Sequence, residues 1–299
     1  MVDLHTHSSA SDGTEDPATL VATAAAAGVT TLAITDHDTT SGWEEAREAL
    51  PAGMSLVRGA EFSTISPDGR GGTVTAHLLG YLFDPAHPAI TAEQDRLRSE
   101  RRERVRTIGA RLAADGYPVD GDDLLARLPA GSSAGRPHIG RALVEAGVVG
   151  SVGESFEHLL HPASPYYVPK RDTPIADALA MILDAGGVAV FAHPFARRRG
   201  RVVEASVLVD LAGRGLGGIE VDHPDHADDD RAALRVLAAA HGLLATGSSD
   251  YHGTNKTTPI AAETTPTEVL EALTARATGS PVVTGGGRRA GAERHRPTT

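Results

Sequence analysis

Short runs of β-branched and apolar residues alternate along most of this chain with alanine-rich stretches of helical length, and that alternation constrains the fold more than any other feature. It is the pattern of repeated βα units around a parallel sheet or barrel, so an α/β barrel is the expected architecture. Candidate strands are Val2–Leu4, Thr31–Thr35, Ser55–Glu61, Thr73–Tyr81, Gly187–Phe191, Gly218–Val221 and Leu243–Thr246, with a closing piece at Pro281–Thr284. Helices are expected over Pro17–Ala27, Thr173–Ala185, Ala205–Arg214 and Ala227–His241. Each is followed by a glycine (Gly28, Gly186, Gly215, Gly242) where a left-handed C-cap would sit.

The rhythm breaks between residues 91 and 163, where helical periodicity continues without a convincing strand. Ile90–Asp115 reads as one long helix rich in Arg and Glu, followed by Asp120–Leu128, Arg136–Ala146 and Val152–Leu160. The expected division is therefore a discontinuous catalytic barrel over 1–90 and 164–284 and a helical insertion over 91–163. The insertion leaves from the strand ends and could serve as a substrate lid. A glycine- and arginine-rich tail over 285–299 is expected to be disordered.

Metal-capable residues sit at the expected strand ends, which is where barrel enzymes build active sites. Strand one leads into His5-Thr6-His7 and then Asp12, strand two into Asp36-His37-Asp38, and strand three ends on Glu61. Strand four carries His77 within it, and later strands deliver His193, Glu220 with Asp222 and His223, and Asp250-Tyr251-His252. Singly each has an ordinary reading: His-x-His is often loop chemistry of no consequence, Glu61 could be solvated, and His77 could be a hydrogen-bonded core histidine. A shared ordinary explanation fails, because His5, His7, His37, His77, His193, His252, Asp12, Glu61 and Asp250 all fall at one end of one barrel. The chain has no cysteine, so any ion is held by nitrogen and oxygen. Imidazole with carboxylate suits Mn²⁺, Fe²⁺ or Zn²⁺.

Four segments, Asp3-Leu4-His5-Thr6-His7-Ser8 with Ser11-Asp12-Gly13, Ile34-Thr35-Asp36-His37-Asp38, Ala192-His193-Pro194 and Gly247-Ser248-Ser249-Asp250-Tyr251-His252, resemble in order and spacing the motifs of the PHP (polymerase and histidinol phosphatase) family. The resemblance implies a distorted seven-stranded barrel and a trinuclear centre. His5, His7, Glu61 and Asp250 would hold one divalent ion, Glu61, His77 and His193 a second, and Asp12, His37 and His252 a third, with Mn²⁺ expected first and Fe²⁺ or Zn²⁺ as alternatives. Bridged ions acidify a shared water and neutralise phosphoryl oxygens, so a phosphoesterase using a metal-bound hydroxide is expected without a side-chain nucleophile. Asp12 and His37 count among its catalytic residues. Asp36 is expected to orient its neighbours, and His223 to donate to the leaving group, contact phosphate, or sit on the rim.

Arg101-Arg102-Glu103-Arg104 and Gly135-Arg136-Pro137-His138 lie in the insertion, where they could hold a second phosphate, although Arg and Glu at helical spacing also make ordinary solvated faces. The chain resembles the PHP subfamily of nucleoside 3′,5′-bisphosphate phosphatases and short-RNA 5′-exonucleases, which implies Arg102, Arg104, Arg136 and His138 as substrate-binding residues. The expected activity is removal of the 3′-phosphate from a nucleoside 3′,5′-bisphosphate. Alternatives are a 5′-3′ exoribonuclease on short 5′-phosphorylated RNA, histidinol phosphatase, and a non-catalytic module binding a polymerase-like partner. A formal net charge of −11 and 4% aromatic residues disfavour coating of long nucleic acids. No apolar run approaches a membrane span and no obligate protein partner is indicated, so a small phosphorylated nucleotide as partner and a cytoplasmic address are expected.

Overall fold

The structure, a computed structural model, describes residues 1–286. Strands β1 (Val2–Asp3), β2 (Thr31–Ile34), β3 (Ser55–Pro67), β4 (Thr73–Tyr81), β6 (Val188–Phe191), β7 (Gly218–Asp222) and β8 (Leu244–Gly247) pair in that order. A bridge between Thr6 and Tyr251 joins the two ends into a nearly closed barrel. Two short strands lie off this path, β5 (Thr173–Pro174) and β9 (Val283–Thr284), and both pair with β3.

Helices α1 (Pro17–Ala26), α2 (Trp43–Ala49), α7 (Ile175–Asp184), α8 (Ala205–Gly213), α9 (Asp228–His241) and α10 (Thr267–Arg276) pack around the sheet. The period of two along the strands divides the core. Val57, Leu79, Tyr81, Val188, Val190 and Leu244 fill one face, while Leu32, Ile34, Leu56, Phe62, Leu78, Phe191 and Ile219 meet the helices on the other. At Gly28, Gly186, Gly215 and Gly242 φ is positive, a left-handed geometry that a residue without Cβ adopts freely.

Between β4 and β5 lie α3 (Pro88–Ala114), α4 (Gly121–Ala126), α5 (Arg136–Glu145) and α6 (Val152–His158). They carry a separate apolar cluster that includes Val105, Ile108, Leu112, Leu125, Ile139, Leu143 and Tyr166. Among the described residues no helix is long and apolar enough to cross a membrane.

Four expectations need correction. The units are not uniformly parallel: β4 runs antiparallel to both β3 and β6. The turn after β3 is short, with the Asp68 carboxylate accepting from the backbone N–H of Arg70 and Gly72, and a connection that brief can only send the chain back along its neighbour. Strand β3 does not end on Glu61 but continues to Pro67, because that hairpin supplies partners as far as Thr73. The piece near residue 281 does not close the barrel; it pairs antiparallel with Ser55 and Leu56 at the start of β3. Thr173 and Pro174 likewise belong to a strand rather than to α7, which starts at Ile175. Of the tail, Gly285 donates to the Met54 carbonyl, and residues 287–299 lie outside the described residues.

Candidate metal centre

Glu61 sits at the middle of the centre because the hairpin places it there. In the β3–β4 register Glu61 faces Leu79 and Ser63 faces His77, so the carboxylate and the imidazole are diagonal neighbours on one face. The two Glu61 oxygens look at different groups. Oε1 lies 2.8 Å from His77 Nδ1 and 3.1 Å from His193 Nε2. Oε2 lies 3.1 Å from both His5 Nε2 and His7 Nε2 and 3.2 Å from His37 Nδ1. A second focus forms where His7, Asp12, His37 and His252 converge, with His252 Nε2 3.3 Å from Asp12 Oδ1. Asp250 Oδ1 stands 3.5 Å from His5 Nε2 and from His7 Nε2. All nine residues expected as ligands are therefore brought together.

The surrounding hydrogen bonds decide which way each ring presents its lone pair. Ser11 Oγ donates to Asp36 at 2.6 Å and so receives His7 Nδ1–H at 3.3 Å, leaving His7 Nε2 free to face the centre. Asp36 thus acts through Ser11, and it also anchors the Ser8 backbone at 2.8 Å. His252 Nδ1 donates to the Asp250 carbonyl at 2.8 Å, and His5 Nδ1 to Glu220 at 3.0 Å. Asp38, His193 and Asp250 all have positive φ without being glycine, the kind of backbone strain that collects at functional sites.

Charges complement these lone pairs. Burial holds the pKa of His37 well below the usual imidazole value, that of His7 lower than usual, and that of His193 down at about 3. Burial opposes ionisation of Glu61 and Asp12, but His77 and His5 around the first and His252 around the second outweigh it and hold both carboxyl pKa values well below the ordinary range.

These residues fit a divalent cation. His5 Nε2 and His7 Nε2 lie 3.0 Å apart, and the bonds at each Nδ1 turn both Nε2 atoms toward the same point. Burial opposes protonation of His5, yet Glu61, Glu220 and Asp250 raise its pKa well above the ordinary value, and a proton there takes the place of a cation. His37 Nδ1 and His77 Nδ1 are buried without a hydrogen-bond partner among the described residues despite their closeness to Glu61. A nitrogen and an oxygen that approach without hydrogen-bond geometry are placed as donors to a common ion.

The expected substrate residues divide. Arg136 lines a cavity of ≈ 360 Å³ together with His77, His193, Tyr167, Lys170 and Arg199. Its guanidinium donates to the Leu160 carbonyl at 2.7 Å and lies over the rings of Phe156 and Tyr167. Arg104 is buried, donates to the Val168 carbonyl at 2.6 Å and lines a different cavity of ≈ 230 Å³ together with Leu97, Arg101 and Lys170. Arg102 is half-buried and makes no side-chain hydrogen bond or ion pair among the described residues. It is the preceding Arg101 that turns inward, bonding Asp38 at 2.7 Å and Ser63 at 2.6 Å. The register of the cluster is thus shifted by one from the expectation, because α3 presents Leu97, Arg101, Arg104 and Ile108 along its inner stripe.

His138 is buried, accepts the Gly135 N–H on Nδ1, and leaves Nε2–H without a partner among the described residues. His223 does not sit on the rim: it is 1% exposed, accepts the Asp225 N–H and points Nε2 at Asp250 Oδ2, 3.3 Å away. Sequence reasoning gave no role to Arg199 and Lys256, which bond Asp250 Oδ2 at 2.6 and 2.7 Å and line a second cleft of ≈ 690 Å³ with Arg141 and His223. An Arg-Arg-Arg run after a strand end was the available signal.

Comparison with known proteins agrees with this geometry. Residues 3–106 match the family model described as PHP domain. The chain is 36% identical to the 3′,5′-nucleoside bisphosphate phosphatase of Chromobacterium violaceum over 84% of its length and 87% of that protein, and 35% identical to a 5′-3′ exoribonuclease of Haemophilus influenzae over 84% and 89%. A solved structure from Bifidobacterium adolescentis, assigned to the metal-dependent phosphoesterases, superimposes with a TM-score of 0.85 at 34% identity, covering 92% of this chain and 96% of that one. A barrel that gathers imidazoles and carboxylates from six of its strands, in a sequence this close to those relatives, belongs to the PHP family and is a metal-dependent phosphoesterase.

Proposed function

We propose that this chain removes the 3′-phosphate from nucleoside 3′,5′-bisphosphates. The observation that carries the reading is the ≈ 360 Å³ cavity in which His77 and His193 share one lining with Arg136, Tyr167 and Lys170. Such a cavity offers an ester-cleaving centre, an aromatic face and two cations within the span of one nucleotide. The C. violaceum relative is named a 3′,5′-nucleoside bisphosphate phosphatase.

His5, His7, Glu61 and Asp250 would hold one ion, Glu61, His77 and His193 a second, and Asp12, His37 and His252 a third. The two-sided environment of Glu61 supports its role as the bridge. Three ions, Mn²⁺ in the first instance with Fe²⁺ or Zn²⁺ as alternatives, would supply an acidified water and neutralise the phosphoryl oxygens. The chain's own residues do the rest. Asp36 and Ser11 hold His7 in the ligating tautomer, and burial keeps His37 and His193 unprotonated. Arg136 and Lys170 bind the phosphate that does not react, and the helices between residues 91 and 163 act as the lid that carries this recognition. His138 does not line the cavity of Arg136; its Nε2–H is buried and unpaired among the described residues, and its role as a further phosphate donor rests on the resemblance. His223 reaches the reacting groups through Asp250.

A second reading, 5′-3′ exonucleolytic cleavage of short 5′-phosphorylated RNA, is favoured by the ≈ 690 Å³ cleft beyond Asp250, where Arg141, Arg199 and Lys256 could take the chain past the scissile bond. Arg136 and Lys170 weigh against histidinol phosphate, whose amino alcohol is cationic. Hydrolysis of adenosine 3′,5′-bisphosphate, a 5′-phosphorylated tetraribonucleotide and histidinol phosphate, measured side by side with Mn²⁺, tests the proposal. The bisphosphate is expected to give the highest kcat/KM; a higher value on either of the others overturns it.

A further inference from the structure

Glu220 projects from β7 toward the barrel interior, opposite in sense to Ile219 and Val221, which pack against the helices. It is 1% exposed. Its Oε1 receives His5 Nδ1–H at 3.0 Å and the hydroxyl of Ser248, and its Oε2 receives the backbone N–H of His193 at 2.8 Å. The two histidines leave different strands, β1 and β6, and face different oxygens of Glu61. Glu220 lies behind both and touches the centre through neither of its own oxygens.

We infer that Glu220 is a positioning residue for metal binding: one carboxylate fixes the His5 tautomer and holds the strained His193 backbone, so that ligands on both sides of Glu61 are set by a single group. This rests on the metal-dependent reading of the centre. Two physical reasons support it. A carboxylate has no proton to offer, so it forces the His5 hydrogen onto Nδ1 and leaves Nε2 as the ligating lone pair. His193 has φ of +33°, a conformation unfavourable for a residue with a Cβ, and it persists only where surrounding contacts over-determine it. The bond from its own N–H to Glu220 is such a contact.

The isosteric substitution Glu220→Gln separates shape from chemistry. A carboxamide retains one acceptor but places N–H donors where the other oxygen stood. Either the His193 N–H then loses its acceptor, or His5 moves its proton to Nε2 and loses the lone pair that faces the centre.

The experiment is a Mn²⁺ titration of the full chain after removal of bound metal by chelation. Wild type, Glu220→Gln and Glu220→Asp are compared with Leu20→Ala, a core change in α1 remote from the centre that controls for lowered stability. The Mn²⁺ affinity of Glu220→Gln is expected to fall by about ten- to a hundredfold. Glu220→Asp, which keeps the charge but withdraws the carboxylate, should fall in the same direction, and Leu20→Ala should bind as wild type. Wild-type affinity in Glu220→Gln, or an equal loss in Leu20→Ala, overturns the inference. If Glu220→Gln does not fold, Ser248→Ala takes its place: a loss of affinity supports the inference and an unchanged affinity overturns it. A wild-type chain that binds no Mn²⁺ would instead remove the metal reading itself, so the two failures are distinguishable.

Discussion

The barrel rim and the helical segment use their polar groups in opposite ways. On the rim, four of the candidate ligands have a second bond directed away from the centre: His7 to Ser11, His5 to Glu220, His252 to the Asp250 carbonyl, and Asp250 Oδ2 to Arg199 and Lys256. Among the arginines of the helical segment, Arg101 reaches the barrel at Asp38 and Ser63, whereas Arg104 and Arg136 hold backbone carbonyls and aromatic faces. Arg104 is on the Val168 carbonyl, and Arg136 is on the Leu160 carbonyl between Phe156 and Tyr167. The rim is built to fix atoms that perform chemistry. The helices hold a cationic wall whose members pack against carbonyls and aromatic rings, and the proposed function adds recognition of phosphate to that role.

The strongest way to break this contrast is at the rim. His193→Ala removes one imidazole from Glu61 Oε1, and bound metal and activity should disappear together, with kcat/KM falling by about a thousandfold or more, equivalent to roughly 4 kcal/mol. Elemental analysis and turnover of the same preparation check this. Full metal content with full turnover would mean that His193 is only a structural neighbour.

Next in size is the wall. Arg136→Ala should lower kcat/KM for adenosine 3′,5′-bisphosphate by about one to two orders of magnitude, from the roughly 1.5–3 kcal/mol of a charge-assisted contact. Turnover of p-nitrophenyl phosphate, which has no second phosphate, should be hardly changed. Equal losses on both substrates would assign Arg136 to packing alone, through its bond to Leu160.

Stability sharpens the register of α3. Arg101 and Asp38 form a buried pair at 2.7 Å, whereas Arg102 has no such partner among the described residues. Removing one member of a buried pair leaves the other charge unpaired, so Arg101→Ala should cost about 3 kcal/mol in denaturant unfolding and Arg102→Ala less than ~0.5 kcal/mol. Comparable losses would return the inward position to Arg102.

The smallest effect concerns His138. Burial first, and then nearby Arg141, push its pKa from the ordinary 6.5 down to about 4; Asp12 opposes this and Arg101 reinforces it. The folded chain keeps this ring neutral, so between pH 6.5 and 4 the unfolded chain binds more protons. His138 therefore contributes stability that is present above pH 6.5 and is lost as pH falls toward 4. His138→Gln cannot titrate and should show a fall shallower by up to about 1.4 kcal/mol per pH unit in that window. Identical slopes in urea titrations would place the ring in solvent.

Much of the rim was legible because strand periodicity and metal-ligand chemistry both constrain sequence locally. His5 and His7, His37, His193, and Asp250 with His252 each stand just beyond a short apolar run, and the structure brings them together. What escaped depends on tertiary approach. The length of β3 follows from its hairpin with β4, and no pattern within Ser55–Glu61 could announce that pairing would continue to Pro67. The turn residues Pro67-Asp68-Gly69 were a signal for the reversal of β4 and outweigh the βα rhythm once used. On α3, Arg101 and Arg102 differ by 100° around the helix, a rotation that an arginine-rich run with few apolar markers leaves open. Glu220 was visible as an acid at a strand end, but only the fold shows that it faces the backs of two ligands.

The bridge between Thr6 and Tyr251 has a consequence in time. The first motif and the last form one seam of the barrel, although nearly the whole chain separates them in order of synthesis. A nascent chain that has released β1 through β7 still lacks Asp250 and His252, and its earliest histidines have no seam to close against. Contacts of such long separation form late, after the loop entropy of the intervening chain has been overcome. Assembly of the complete cluster of imidazoles and carboxylates then follows only once translation and folding have both reached the end of the barrel.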